Sequence, residues 1–130
     1  MLWNDSLATG ITKIDQQHKE LFRQIDILTD RSNANRVPET LHFLGTYVVK
    51  HFNDEQVMHV ASKYPKAEAH KKKHAEFITR FKEMKKKYDE AGDKLETILG
   101  INKMSIGWLK EHIMVEDKDF AKYYKNLTQA

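Results

Sequence analysis

The chain has 130 residues, of which 32% are charged and 40% belong to the hydrophobic set AVILMFWYC. This length suits a single domain with one core, and the balance of polar and apolar residues excludes both a disordered tail and a membrane bundle. Lys and Arg exceed Asp and Glu by only 22 to 19, which gives no indication of nucleic-acid binding.

The first half of the chain predicts two helices, because apolar residues recur there every three or four positions. Helix A runs over about 12–30, and a capping box can form from Thr12 to Asp15. A loop rich in Asn and Ser follows over 31–37. Helix B then carries a second apolar stripe over about 41–62.

The second half predicts two more helices. Pro38 and Pro65 both stand where a helical pattern begins, which suits proline in a first turn. Helix C is predicted over 65–91, and helix D over about 93–117, before an aromatic tail at 120–124.

The fold class follows from these four elements. Nothing in the sequence shows the two-residue alternation and hairpin turns of a β-sheet. Short connections force neighbouring helices to run antiparallel. We therefore predict an all-α protein, an up-down-up-down antiparallel four-helix bundle in which residues 1–130 form one domain.

Two absences limit the chemistry and the location of the protein. Cysteine is missing, so disulfides, thiolate metal sites and cysteine nucleophiles are excluded, and any metal must bind to nitrogen and oxygen. No apolar run approaches the roughly 18 residues of a membrane span, and no basic region followed by an apolar run opens the chain. We expect a cytoplasmic protein that binds neither nucleic acid nor membranes.

Histidines on the inward faces of the helices are the main functional signal. Five of the seven histidines fall on the predicted apolar stripes, so every helix directs an imidazole into the core. These five are His18, His51, His70, His74 and His112. A lone inward histidine is more often an ordinary core residue, but five buried imidazoles all need hydrogen-bond or metal partners.

The spacing of these histidines and of two nearby carboxylates favours metal binding. His51 and Glu55 are four residues apart, as are His70 and His74, so each pair can direct two donors to one point. His112 and Asp117 are five apart, an offset of roughly 140° on a regular helix. Those two can share a site only if the helix is distorted or the carboxylate reaches across.

Five imidazoles and two carboxylates are too many ligands for one first-row ion. Two ions bridged by the two carboxylates would use all seven, which we take as the metal ligands. Ferritin-like di-iron sites differ, because in them repeated Glu-x-x-His motifs make glutamate the more numerous ligand.

Taken together, these motifs resemble the hemerythrin family in its single-domain bacterial form, with a match over nearly the whole chain. The motifs are Trp3 and Gly10, Ile14-Asp15-Gln16-Gln17-His18, His51-Phe52-Asn53-Asp54-Glu55, Tyr64-Pro65, His70-Lys71-Lys72-Lys73-His74, and Trp108-Leu109-Lys110-Glu111-His112-Ile113 with Asp117.

The resemblance implies a non-haem centre of two iron ions with an oxo or hydroxo bridge. By this resemblance, Glu55 and Asp117 bridge the two ions. One iron is then held by His70, His74 and His112, and the other by His18 and His51. The second iron keeps an open position, at which the family binds O2.

Four apolar residues next to the ligands in sequence are expected to line the O2 pocket. They are Phe52, Trp108, Leu109 and Ile113. A dry pocket keeps protons and reductants away from the bound molecule. Each of the four also fits an ordinary place in the core, and the two interpretations are compatible.

Two positions depart from the family pattern. His59 stands where the family commonly has Met, eight residues after His51. It can add a hydrogen bond or compete for the open iron position, but the favoured interpretation is a cation at the negative end of the helix B dipole. Phe120 stands where the family often has Tyr, which removes a hydroxyl from any tail-to-core hydrogen bond, and His42 is given no role.

The resulting functional prediction is reversible O2 binding for transport, storage or sensing, without catalysis. The alternative is a di-iron enzyme that reduces O2 or peroxide with electrons from a redox partner protein. A third interpretation is a structural bundle that is metal-free or loaded with zinc.

Overall fold

The structure is a computed structural model that describes residues 3–92 and 94–128. Its four long helices are α1 (Thr12–Leu28), α2 (Val37–Ala61), α3 (Ala67–Ala91) and α4 (Leu95–His112). A π-helical turn over Ile113–Asp117 joins α4 to a fifth helix, α5 (Lys118–Thr128). Asp93, where helix D was expected to begin, lies outside the described residues.

The four long helices form a closed bundle. Helix α1 packs against α2 and α4, and α3 packs against the same two helices. The described residues contain no strand, so the prediction of an all-α four-helix bundle is confirmed. No helix within 3–92 or 94–128 is long and apolar enough to cross a lipid bilayer.

The start of α1 differs from the predicted capping box. Ile11 is the N-cap residue, and no side chain caps the helix there. Instead, the Asp15 carboxylate accepts hydrogen bonds from the backbone N–H of Thr9 at 2.8 Å and of Gly10 at 3.1 Å. The carboxylate therefore reaches back beyond Thr12 and fixes the turn before the helix. The helix ends at Leu28, two residues earlier than predicted.

The connections are more ordered than a loop prediction implies. Residues Arg31–Arg36 form a 3-10 helix, and the Asp30 side chain accepts the backbone N–H of Ser32 at its start. Pro38 lies in the first turn of α2 as predicted. Pro65 lies in a turn two residues before α3 rather than inside the helix.

The aromatic tail was wrongly separated from the helices. Helix α5 continues the chain after the π-helical turn, and Phe120 is fully buried on its inner face. The tail still bonds to the body of the protein, because the hydroxyl of Tyr123 donates to the carbonyl oxygen of Ser62 at 2.6 Å. The hydroxyl of Tyr64 donates to the Asp119 carboxylate. The missing Phe120 hydroxyl is thus compensated by two other tyrosines.

The core consists of a large and a small apolar cluster. The large cluster includes Phe52 and Phe77 among residues of all four long helices, and the small one consists of Ile14, Tyr64 and Phe120. The ring of Phe52 contacts that of His74, while the ring of Tyr64 contacts that of His70. The buried histidines therefore lie between the two clusters, surrounded by apolar side chains.

Candidate metal centre

Seven polar side chains meet in the interior of the bundle, and they are the seven that sequence analysis selected as ligands. Each of them is at most 2% exposed. The set consists of His18 on α1, His51 and Glu55 on α2, His70 and His74 on α3, His112 on α4, and Asp117 at the end of the π-helical turn. All four helices therefore contribute to one site.

The π-helical turn explains how Asp117 reaches this site. A π-helix closes its hydrogen bonds between residues five apart and so has a wider turn than an α-helix. In the structure this turn occupies Ile113–Asp117, and the Nε2 atom of His112 lies 3.2 Å from Oδ1 of Asp117. The sequence left two alternatives, a distorted helix or a carboxylate that reaches across, and the π-helical turn is the distortion.

Five of the seven side chains form one group of potential donors around a common point. Oε1 of Glu55 lies 2.7 Å from Nε2 of His70 and 3.3 Å from Nε2 of His74. Oδ1 of Asp117 lies 3.1 Å from Nε2 of His70, and His112 completes the group. Their ligand atoms all lie within 4.8 Å of one another.

A second group shares the two carboxylates with the first. Oδ2 of Asp117 lies 3.0 Å from Nε2 of His18, and Oε2 of Glu55 lies 3.5 Å from Nε2 of His51. These four side chains also have ligand atoms within 4.8 Å of one another. Each carboxylate therefore presents one oxygen to each group, which is how a carboxylate lies when it bridges two metal ions.

Outer hydrogen bonds orient several of the imidazoles. Nδ1 of His51 lies 2.7 Å from Oε1 of Gln17, and Nδ1 of His74 lies 2.9 Å from Oε1 of Gln56. An amide oxygen can only accept, so each ring carries its proton on Nδ1 and presents the lone pair of Nε2 to the site. Such partners fix the ring orientation of metal-binding histidines. Neither glutamine was selected from the sequence.

Most of the atoms that face the centre make no hydrogen bond among the described residues, although Nε2 of His70 lies 3.0 Å from Nε2 of His112. Both oxygens of Glu55 and of Asp117, both nitrogens of His18, and Nε2 of His51 and His74 make no hydrogen bond among the described residues. Buried polar atoms are rarely left unpaired in proteins. Because these atoms converge, and because two carboxylates and neutral imidazoles are ligands of first-row metals, the donor set fits metal ions.

Without metal, the electrostatics of the site are unfavourable. Burial and the neighbouring Asp117 raise the pKa of Glu55 to about 8. Burial opposes ionisation of Asp117 too, but the adjacent His112 outweighs it and holds the pKa of Asp117 well below its usual range. Burial lowers the pKa of His51 to about 3. The Asp117 and Glu55 carboxylates beside His70 outweigh burial and raise its pKa to about 9.

His59 does not behave as the favoured interpretation predicted. It lies in the last turn of α2, but it is only 1% exposed. Burial and the nearby His70 lower its pKa to about 4, so the ring is neutral and is not a cation at the helix end. The ring centroids of His59 and His70 are 4.4 Å apart. The interpretation of His59 as a cation that interacts with the helix dipole is therefore wrong, although its predicted place in the last turn is confirmed.

The four residues selected as pocket walls are all near the centre or in the core around it. Phe52 stacks on His74 with ring centroids 3.9 Å apart, and Trp108 stacks on His112 at 4.5 Å. Leu109 and Ile113 are fully buried in the large apolar cluster.

The remaining histidine lies away from this centre. His42 is exposed on α2, as is Glu39 three residues before it. This Glu-x-x-His spacing therefore belongs to the protein surface and not to the candidate metal centre.

Comparisons with known proteins agree with this geometry. Residues 9–124 match the family model described as the hemerythrin HHE cation binding domain. The chain is 31% identical over 126 residues to a bacteriohemerythrin of Pseudomonas paraeruginosa, covering 92% of this chain and 78% of that protein. It is 32% identical over 115 residues to a myohemerythrin of Theromyzon tessulatum, covering 88% and 86%. A crystal structure of wild-type hemerythrin superposes with a TM-score of 0.82 at 25% identity, covering 94% of this chain and 95% of that one.

Proposed function

The chain belongs to the hemerythrin family, and we propose that it binds O2 reversibly at a non-haem centre of two iron ions. Glu55, His70, His74, His112 and Asp117 would hold one ion. The other ion would be held by His18 and His51 together with the same two carboxylates. Transport, storage and sensing of O2 all require this reversible binding.

The observation that carries the proposal is the placement of the two carboxylates. Oε1 of Glu55 lies beside His70 and Oε2 beside His51, while Oδ1 of Asp117 lies beside His112 and Oδ2 beside His18. A site for a single ion would not need both oxygens of both carboxylates directed to different histidines. This arrangement supports two ions per chain.

The number and kind of donors favour binding of a small molecule over oxidation chemistry. Ferrous iron supplies the electrons and the coordination position that O2 needs. The chain gives five donors to one group and four to the other, so the His18 and His51 side has more room for a small ligand. With two carboxylates against five imidazoles, the ligands carry little negative charge, which disfavours highly oxidised iron.

Apolar side chains around the donors keep water from the site. The ring of Phe52 stacks on His74, and the ring of Trp108 stacks on His112. Leu109, which follows Trp108 in the chain, is an aliphatic side chain that is fully buried. Exclusion of water slows proton delivery to a bound ligand, and slow proton delivery favours release of O2 in its original form.

The first test is the optical spectrum of the reduced, iron-loaded protein during rapid mixing with O2. We expect an absorption change that lasts much longer than the mixing time. Flushing the solution with argon, which removes O2, should reverse this change. Rapid, irreversible oxidation of the iron would refute reversible binding and favour reduction of O2 with electrons from a partner protein.

The second test is metal analysis of ligand variants. Wild-type protein grown with iron should contain close to two iron ions per chain, and His51→Ala and Glu55→Ala should lose iron and unfold at lower temperature, because metal binding is linked to folding. His42→Ala is the matched control, since this α2 histidine is exposed. Full iron content in both ligand variants would refute the ligand assignment.

A further inference from the structure

His59 occupies a closed position beside the metal centre. It follows Glu55 by one helical turn on α2 and is 1% exposed. Its ring centroid lies 4.4 Å from those of His70 and Phe120 and 5.2 Å from that of Tyr64. The side chain is therefore enclosed between the small apolar cluster and the donor set.

Neither ring nitrogen of His59 has a hydrogen-bond partner among the described residues. A neutral imidazole carries one N–H donor and one acceptor, and a buried donor without a partner destabilises the folded protein. The nearest carboxylate oxygen is Oε1 of Glu55, 3.9 Å from Nε2 of His59. A small displacement of either side chain would bring these two atoms to hydrogen-bond distance.

Direct ligation by His59 is disfavoured at both ions. The five-donor group beside it already nearly fills an octahedral ion. The second ion would lie on the side of His18 and His51. Among the described residues, the His59 ring contacts His70 and His74, but it contacts neither His18 nor His51. The expectation that His59 competes for an open position on the His18 and His51 side therefore has no support in the geometry.

We propose that His59 is a positioning residue, whose Nε2–H donates a hydrogen bond to Oε1 of Glu55 when this carboxylate binds metal. The inference rests on the proposed function. Three imidazole nitrogens approach Oε1 of Glu55, at 2.7 Å, 3.3 Å and 3.9 Å, and the one from His59 is the most distant. The first two belong to ligands, so His59 alone remains free to donate. Hydrogen bonds of this kind orient a ligating carboxylate and strengthen metal binding.

The His59 side chain should therefore destabilise the folded metal-free protein and stabilise the metal-bound one. His59→Met, an apolar substitution of similar size, should therefore have two effects of opposite sign. The melting temperature of the metal-free protein should rise, because an unpaired buried polar group is removed. The affinity for metal should fall by about 10- to 100-fold, because a partner of the Glu55 ligand is lost.

The test uses metal-free protein prepared with a chelator, thermal unfolding, and titration with Co2+ alone followed by its optical bands. His59→Gln keeps an N–H donor and should retain affinity for Co2+ close to that of the wild type. His42→Met, on the exposed face of the same helix, should change neither quantity.

Several results would overturn the proposal. Unchanged Co2+ affinity in His59→Met, or failure of His59→Gln to restore it, would remove the positioning role while leaving the proposed metal centre intact. A fall in both the metal-free melting temperature and the Co2+ affinity of His59→Met would show that the ring only fills space. If the wild-type chain fails to bind two Co2+ ions, the proposed function fails together with this inference.

Discussion

Replacing Gln17 with alanine tests whether the outer hydrogen bonds control the metal centre. Gln17 accepts the Nδ1–H of His51 at 2.7 Å and donates through Nε2 to Asp54 at 2.8 Å. Asp54 keeps a second partner in Lys50, at 3.1 Å, so the main loss in Gln17→Ala falls on the buried ring of His51. Its Nδ1–H would be left without an acceptor, or the proton would move to Nε2 and block the lone pair.

The size of the effect follows from what is lost. Leaving the buried N–H of His51 unpaired costs about 1–3 kcal/mol of unfolding free energy. Loss of an outer partner of a metal ligand reduces metal affinity by about 10- to 100-fold, which is about 1.4–2.8 kcal/mol at 1.4 kcal/mol for each factor of ten. Only the ion on the His18 and His51 side should be affected directly.

Competition between protein and chelator for Co2+ measures this affinity, and urea unfolding measures the stability. Gln24→Ala is the matched control on α1, because within residues 3–92 and 94–128 the half-buried Gln24 amide donates to Glu20, at 3.1 Å, and to no residue of the candidate metal centre. We expect it to change stability by less than about 0.5 kcal/mol. Equal Co2+ affinity for Gln17→Ala and Gln24→Ala would refute the role assigned to Gln17.

Three further predictions concern stability. Removing iron with a chelator should lower the melting temperature in calorimetry, because the converging donors lose their partner; an unchanged temperature would contradict a metal centre. In the metal-free protein, burial holds the pKa values of His51 and His59 at about 3 and about 4, below the 6.5 of the unfolded chain. Burial also lowers the pKa of His74. Stability should therefore fall between pH 6.5 and 5, since these three histidines outweigh Glu55, whose pKa, raised to about 8, acts in the opposite sense. His70, with its pKa raised to about 9, acts mainly above pH 6.5. Equal urea midpoints at pH 6.5 and 5 would contradict this. Gly45→Ala should cost about 1–3 kcal/mol, because its Cβ would lie 3.1 Å from a phenylalanine ring of α3. Gly107→Ala, where nothing lies within 4 Å of the added Cβ, should raise the free energy of unfolding by about 1 kcal/mol. If both substitutions changed this free energy in the same direction, the packing described for Gly45 would be contradicted.

The helices could be predicted because their pattern is local. Apolar residues recur at helical spacing, and this spacing fixed which face of each helix points inward. Five inward histidines were identified by this reasoning alone, as were the partners Glu55 and Asp117. The number of donors indicated two ions, and the family resemblance then supplied the kind of metal, which spacing could not provide.

Other features depend on contacts between distant parts of the chain. The π-helical turn at Ile113–Asp117 has no residue signature, because a regular helix over the same residues satisfies the same local preferences. Gln17 could not be selected, since a glutamine on the edge of an apolar stripe is usually a surface residue. His59 was misjudged for a related reason: the sequence does not show that α5 places Phe120 over the end of α2, 4.4 Å from the His59 ring.

The position of the donors between two apolar clusters links metal binding to folding. Phe52 on one side contacts His74, and Tyr64 on the other contacts His70, so the packing of both clusters depends on the positions of these histidines. Asp117, 0% exposed, ties α5 to the bundle through the same centre. A metal-free chain must therefore bury two carboxylates and several imidazoles with incomplete hydrogen bonding. It follows that loss of metal should loosen the π-helical turn and the start of α5 first, because Asp117, which joins these two elements, then loses its partner at the centre. Amide hydrogen exchange along residues 113–128 would detect this, and uniform exchange across all helices would contradict it.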